Sequence, residues 1–381
     1  MILLEFWRRW QPIILCSLPI IALGFLSVIS LTRMSTSPLG AWNNYGTRQV
    51  LWMCGSLVIF FLIARLDFRW WIRNALIIYI VGLVLCISVI FFGREINGSR
   101  SWFDLGFMLF QPVEIMKIGL IMILARWYSS TNAFQDKWWV ILFGAVFFVL
   151  TAAAVLLQPD LGSAILLAAL WAVLTFTRGL TFWQWVVASI TFFCTLAVGW
   201  FFILAPYQKE RILSTFSTEA NMQSYNVRQA LIAIGNGGWW GQGIGQGSQT
   251  QLRFLPVRQT DFIFAALGEE LGFVGLLSIL IIYTGLGIGL VAIAWQARAD
   301  DASYVVIGVS ALLFVQIVVN IGMNIGIVPV TGIPLPFLSY GGSAFLSYAI
   351  LLGIVANVAW QVKFRSLRHI KKGREIDYLI G

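Results

Sequence analysis

Hydrophobic and polar positions in this chain alternate in long blocks. Apolar runs cover about residues 12–31, 50–64, 75–92, 113–125, 138–157, 164–177, 183–205, 271–295, 304–323 and 344–360. A helix rises about 1.5 Å per residue, so a run of roughly 20 apolar residues matches the hydrocarbon thickness of a bilayer. The pattern predicts an all-α polytopic membrane protein with about ten transmembrane helices. The longest polar block, 206–260, falls between the seventh and eighth runs. The first run follows Trp7-Arg8-Arg9-Trp10 with no small-residue cleavage site after it, which predicts a retained span and not a removed signal peptide. The chain therefore reads as one transmembrane domain, 1–381, carrying the loop 206–260 and a basic tail, 361–381.

Basic residues orient this arrangement. Ten spans place both termini on one side, where Arg8, Arg9, Arg65, Arg69, Arg73, Arg126, Lys137, Arg178, Arg298 and the tail cluster fall. Outside the long loop the opposite side has only Arg33, Arg48, Arg94 and Arg100. The positive-inside rule makes the first side cytoplasmic and the loop 206–260 extracytoplasmic. The predicted location is the cytoplasmic (inner) membrane, crossed many times, with both termini in the cytoplasm.

Composition narrows the chemistry. Hydrophobic residues make up 59% of the 381 and charged residues 11%, with mean hydropathy +0.86. A net charge of +9 would suggest nucleic acid only if it formed a patch on a soluble surface; here it punctuates spans, which points to topology and anionic lipid instead. Cys16, Cys54, Cys86 and Cys194 lie inside apolar runs with no metal-ligand spacing, so they read as core residues. The single histidine, His369, is in the tail. Proton transfer in any enzymatic reaction falls to carboxylates.

Carboxylates gather at the outer boundary. Asp261 stands where the polar loop turns into apolar helix, and Glu269 and Glu270 follow about two turns later. Charge at such a boundary is costly unless it is paired or used. Glu114 and Lys117, spaced i, i+3 behind Gln111-Pro112, share a helix face and read either as a structural ion pair or as the lining of a polar cleft. Asp160, in Gln158-Pro159-Asp160, reads as a helix N-cap or a cleft residue. Asp261 has the same two readings. Within the loop, Gly235 to Gly247 holds seven glycines in thirteen residues, which lets the backbone approach a ligand closely or forms a hinge. Together with Arg211, Arg228, Arg253 and Arg258 it suggests an outer anion site, since guanidinium forks suit diphosphate. From Asn320 to Ser343 three prolines and several glycines break any helix at the same boundary.

These motifs, in this order, resemble the SEDS family (shape, elongation, division and sporulation) over about residues 45–360. The resemblance lies in Asn97-Gly-Ser-Arg-Ser-Trp102, Gln111-Pro-Val-Glu114-Ile-Met-Lys117, Gln158-Pro-Asp160-Leu-Gly, Arg228-Gln229 with the glycine stretch, Thr260-Asp261-Phe-Ile-Phe with Gly268-Glu-Glu-Leu-Gly, and Pro334-Leu-Pro-Phe-Leu-Ser339-Tyr-Gly-Gly-Ser. The short termini and Thr331-Gly-Ile-Pro-Leu-Pro-Phe are most similar to the elongation branch. One departure is that Val257 and Gln259 stand where the family has Glu and His, which argues against an essential role for those two positions. Asp261 keeps its place.

The resemblance implies a peptidoglycan glycosyltransferase polymerising lipid II into glycan strands at the outer face during cell elongation. Its partners would be a class B penicillin-binding protein, membrane lipids and other proteins of the elongation machinery, with no nucleic acid. Asp261 matches the family's essential aspartate and is the expected base. Arg48, Trp102, Glu114, Lys117, Asp160, Arg211, Arg228, Gln229, Thr260 and Ser339 are the expected substrate-binding residues. No organic cofactor is expected; a divalent cation, Mg²⁺ or Mn²⁺, could help neutralise the leaving diphosphate, although its ligands are unknown and the sequence shows no dedicated cage. Three other readings stay open: a flippase for the lipid-linked precursor, a scaffold that only recruits the transpeptidase, and a division or sporulation member of the same family.

Overall fold

The computed structural model describes residues 2–34, 44–96, 98–106, 108–130, 138–179, 181–198, 201, 209, 222–297 and 300–380. Nine of the ten apolar runs fall on helices there, and of the run 183–205 the part 183–198 does, most of the rest lying outside the described residues. The helices are α1 (Ile2–Met34), α2 (Tyr45–Arg65), α3 (Phe68–Arg73), α4 (Ala75–Phe92), α5 (Val113–Ser130), α6 (Trp138–Leu156), α7 (Leu161–Thr177), α8 (Phe182–Val198), α9 (Met222–Gly237), α10 (Ser248–Gln251), α11 (Ile263–Gln296), α12 (Asp300–Asn324) and α13 (Gly342–Ile380). Among the described residues seven stretches are long and apolar enough to cross a membrane: Leu15–Arg33, α2, α4, α6, α11, α12 and Gly342–Val362. The shorter α7 is apolar as well. The protein is a multi-pass helical membrane protein.

Burial sorts the helices. Nearly every residue of α5 from Val113 to Ala125 is buried, including Glu114 and Lys117. With α12 and the first half of α13 it forms the centre of the bundle. Around it α4, α6 and α11 turn apolar side chains outward, among them Ile77, Val84, Leu142, Val149, Ile281 and Ile288. Side chains so placed suit lipid contact.

A small antiparallel sheet lies between α4 and α5. Its strands are β1 (Arg94–Ile96), β2 (Ser99–Asp104) and β3 (Leu109–Phe110), with Arg94 opposite Trp102 and Asp104 opposite Leu109. Arg94 Nη1 meets Asp104 Oδ2 at 2.6 Å, and both are exposed. The Gly106 N–H and then the Arg94 guanidinium hold the Asp104 carboxyl below the usual range.

Two features of the long polar region and its flank were not visible as apolar runs. Val227, Ala230, Ala233 and Ile234 recur at helical spacing on α9, and this face packs into the core. The apolar residues of α9 are few and interrupted by Gln223, Ser224, Asn226, Arg228 and Gln229, so the sequence read it as loop. In α11, Gly272 breaks the helix at φ 66°, a left-handed conformation that favours glycine. The predicted span beginning at 271 is thus preceded by a separate helical segment from Ile263, buried on all sides as far as Glu270.

Candidate active site

One end of the bundle collects the starts of α2, α5, α7, α11 and α13 and the end of α12. Tyr45 of α2 packs edge-on against Tyr340 at 5.2 Å. Side-chain atoms added at Gly342 or Gly162 would press on the Trp52 indole of α2 or on the Thr331 carbonyl, so each glycine admits a close neighbour. Gln111, just before α5, donates to Asp160 Oδ2 at 3.3 Å, just before α7.

Asp261 lies half-buried in the turn leading into α11. This turn is held on two sides. Against it lies the proline-rich segment 334–340: Ser339 Oγ donates to the Thr260 carbonyl at 2.6 Å and accepts the Leu335 N–H at 2.7 Å. The Tyr340 N–H donates to the Gln259 carbonyl at 2.8 Å. From α12, Asn320 Nδ2 and Asn324 Nδ2 donate to the Asp261 carbonyl at 3.2 and 3.0 Å. Asn324 Oδ1 accepts the Ala265 N–H at 3.0 Å. The N-cap position of α11 belongs to Phe262, not Asp261, so the first turn is closed from another helix. A methyl group on Gly332 would stand 3.7 Å from Asp261 Oδ2, so the glycine leaves room beside the carboxylate.

Below this lip, Lys117 Nζ meets Glu114 Oε2 at 2.7 Å with both side chains almost fully buried. Ser347 Oγ donates to the same carboxylate oxygen, and Lys117 Nζ stands 5.4 Å from the Tyr348 ring centroid. The i, i+3 spacing does form the ion pair. Asp160 is the N-cap of α7: its Oδ1 accepts the Ser163 N–H at 3.0 Å and its Oδ2 accepts the Ser163 hydroxyl at 2.7 Å.

The other predicted residues separate into groups. Arg48 lies between Tyr45 and Trp52 at helical spacing, on the face of α2 turned to 340–342. Trp102 is half-buried on β2, which is held over the Gln158 turn because Ser99 Oγ and Ser101 Oγ donate to the Gln158 carbonyl. Arg228 is exposed and Gln229 half-buried on α9. Among the described residues no hydrogen bond joins either to the Asp261 turn. Arg211 lies outside the described residues.

The glycine-rich stretch has a structural task that its sequence did not reveal. It lies against the break in α11: the Gln242 and Gly243 N–H groups donate to the Glu269 and Glu270 carbonyls at 2.9 and 3.0 Å, and the Phe273 N–H donates to the Gly238 carbonyl at 2.8 Å. Side-chain atoms on Gly237 or Gly241 would collide with the carbonyl oxygen of Gly268 or Glu270. Close approach is needed here by a helix. Glu269 is consumed in the same joint, accepting from Gln249 N and Thr250 N, both at 2.8 Å, and from Thr250 Oγ1 at 2.6 Å. Glu270 accepts from Ser30 Oγ at 2.8 Å and Gly245 N at 3.2 Å.

The sequence reading also passed over the amides that hold Asp261. Gln316, Asn320 and Asn324 recur every fourth residue in an apolar helix and are fully buried. That periodic polarity is the signal that could have found them.

With the geometry in view, the chain can be set beside known proteins. The FtsW/RodA/SpoVE family profile, described as Cell cycle protein, matches residues 10–364. The chain belongs to this family. As a SEDS protein it is 35% identical over 340 residues to the peptidoglycan glycosyltransferase MrdB of Escherichia coli (strain K12), covering 87% of this chain and 91% of that one. It is 30% identical over 366 residues to the probable peptidoglycan glycosyltransferase FtsW of Coxiella burnetii, covering 94% and 98%. Its fold matches a chain solved in work on the structural coordination of polymerization and crosslinking by a peptidoglycan synthase complex. There the TM-score is 0.77 and the identity 31%, over 93% of this chain and 98% of that one. The crystal structure of the rod shape determining protein RodA of Thermus thermophilus matches with TM-score 0.67 and 31% identity, over 92% and 96%. Among SEDS proteins, the chain is most like RodA.

Proposed function

We propose that this SEDS protein is a peptidoglycan glycosyltransferase of the elongation branch, polymerising lipid II at the outer face of the cytoplasmic membrane with Asp261 as general base. The observation that carries the reading is the half-buried Asp261 turn, pinned by α12 and by 334–340 at the end of the bundle where five helices begin. Helix N-termini favour negative charge, and a lipid-linked diphosphate is such a charge.

In the reaction, the acceptor sugar's 4-hydroxyl attacks the anomeric carbon of the donor. The new C–O bond forms as the bond to diphosphate breaks. The hydroxyl proton goes to Asp261 and the electron pair leaves with the diphosphate. A positioned general base typically contributes about 10²–10⁴-fold. Direct attack inverts the anomeric carbon. Arg48 at the mouth, with Arg211 and Arg228 from the 206–260 region, meets the diphosphate, while Lys117, held by Glu114, adds positive charge deeper in. Among the described residues no group of three or more His, Cys, Asp or Glu gathers as a metal cage. A divalent cation carried on the substrate's own phosphates would supply charge neutralisation at the leaving group.

The basic residues support a cytoplasmic position for both termini. A class B penicillin-binding protein is the proposed partner, a reading supported by the match to a chain from a peptidoglycan synthase complex. The test is polymerisation of purified lipid II by the reconstituted protein with and without that transpeptidase. The expected result is long glycan strands that need this protein and increase with the partner. Strands made by the partner alone, or none from the pair with divalent cation present, would overturn the assignment.

A further inference from the structure

We propose that Asn320 and Asn324 are positioning residues for Asp261, an inference that rests on Asp261 being the base. Both side-chain amides donate to one acceptor, the Asp261 carbonyl. Two donors on one carbonyl fix the plane of the peptide that follows it, and with it the direction of the Asp261 side chain. Each amide has a second attachment. Asn320 Nδ2 also donates to the Ile333 carbonyl at 2.7 Å, which places the side-chain-free Gly332 beside the carboxylate. Asn324 Oδ1 takes the Ala265 N–H in the first turn of α11, and its Nδ2 also donates to the Asn320 carbonyl at 2.8 Å. The Asp261 carbonyl, the helix after it and the segment facing it are therefore referred to one face of α12.

One turn further in, Gln316 continues that face and donates to the Tyr348 hydroxyl at 3.0 Å. Tyr348 is the ring that faces Lys117. Buried amides in an apolar helix cost free energy unless their hydrogen bonds are made. Asn320 and Asn324 have both amide atoms or both donor directions engaged at the site and Gln316 its Nε2, so the three line up from the intramembrane ion pair to the lip. The direction of a reacting group matters steeply, since a displacement of about 1 Å can cost on the order of 10²-fold in rate.

The experiment uses the full chain with its transpeptidase and purified lipid II. Asn324→Asp keeps an acceptor for Ala265 but loses the donor to Asp261; Asn320→Leu loses the other donor; Asn324→Gln keeps the amide; Asp261→Asn is the reference. Turnover per folded molecule, KM and the pH profile of turnover are read together, with partner binding and melting temperature as controls. The expected result is a fall in kcat on the order of 10- to 100-fold for Asn324→Asp and Asn320→Leu. KM and partner binding stay unchanged, the acidic limb of the profile moves, and Asn324→Gln recovers part of the loss. Wild-type turnover in both variants, with Asp261→Asn inactive, overturns the positioning role and leaves the base in place. Fewer folded molecules, each with wild-type turnover and an unmoved acidic limb, overturn it too. Wild-type turnover in Asp261→Asn overturns the base and this inference together.

Discussion

Glu269 offers the sharpest test of how the outer region is assembled. Its carboxylate is fully buried and accepts from Ser248 Oγ at 3.3 Å as well as from Gln249 N, Thr250 N and Thr250 Oγ1. It thereby caps α10, whose own N-cap, Gly247, has no side chain to do so. In Glu269→Gln one oxygen still accepts, but an NH₂ group now faces the donors of the other. Each oxygen takes one N–H and one hydroxyl, and the hydroxyl can turn to accept from the NH₂, so one N–H is left unmatched and the predicted loss is about 1–3 kcal/mol. Equilibrium unfolding in mixed micelles measures the total, and proteolysis between 238 and 255 should rise before the spans are cut. A loss within about 0.5 kcal/mol, the size of an ordinary surface change, would refute the capping argument.

Three further outcomes follow from the same geometry. Removing either partner of the buried Glu114–Lys117 pair should cost about 3–5 kcal/mol, whereas Glu114→Gln with Lys117→Met should recover much of it; a double-mutant cycle of unfolding free energies checks this, and additive losses would contradict it. Gly237→Ala should destabilise and open the joint with α11, because its methyl would collide with the Gly268 carbonyl, whereas Gly235→Ala meets open space and should be neutral; thermal unfolding of both variants separates them. The Asp104 carboxyl is lowered in the fold, so its contribution to the β1–β2–β3 sheet is present above the ordinary carboxylate range and lost as pH falls through the lowered value. A fall in the protection factor of the Gly106 amide on acidification, taken relative to the intrinsic exchange rate at each pH and absent in Asp104→Asn, is the expected signature.

Much of the fold was legible because a span must be apolar along its length, and that requirement writes itself into the sequence. The site was legible where charge stands against that rule, at Asp261, Glu114 and Lys117. Illegible parts depend on contacts between distant segments. α9 buries small residues, Ala230 and Ala233, on a face too narrow to register as an apolar run. The glycines of 235–247 looked like room for a ligand because a sequence does not say what comes close, and here it is the backbone of Gly268 to Gly272. Glu270 seemed available for chemistry until Ser30 of α1 and Gly245 were seen to bond it. Asn320 and Asn324 are polar residues whose shared partner, the Asp261 carbonyl, lies 59 and 63 positions away in the turn before α11, a pairing no local pattern announces.

The central claim is that Asp261 takes the proton of the attacking hydroxyl. Its most direct test is single-turnover polymerisation of lipid II by wild type and Asp261→Asn, each folded and bound to its transpeptidase. The account predicts a fall of about 10²–10⁴-fold in the chemical step for Asp261→Asn. A wild-type rate in that variant would contradict it.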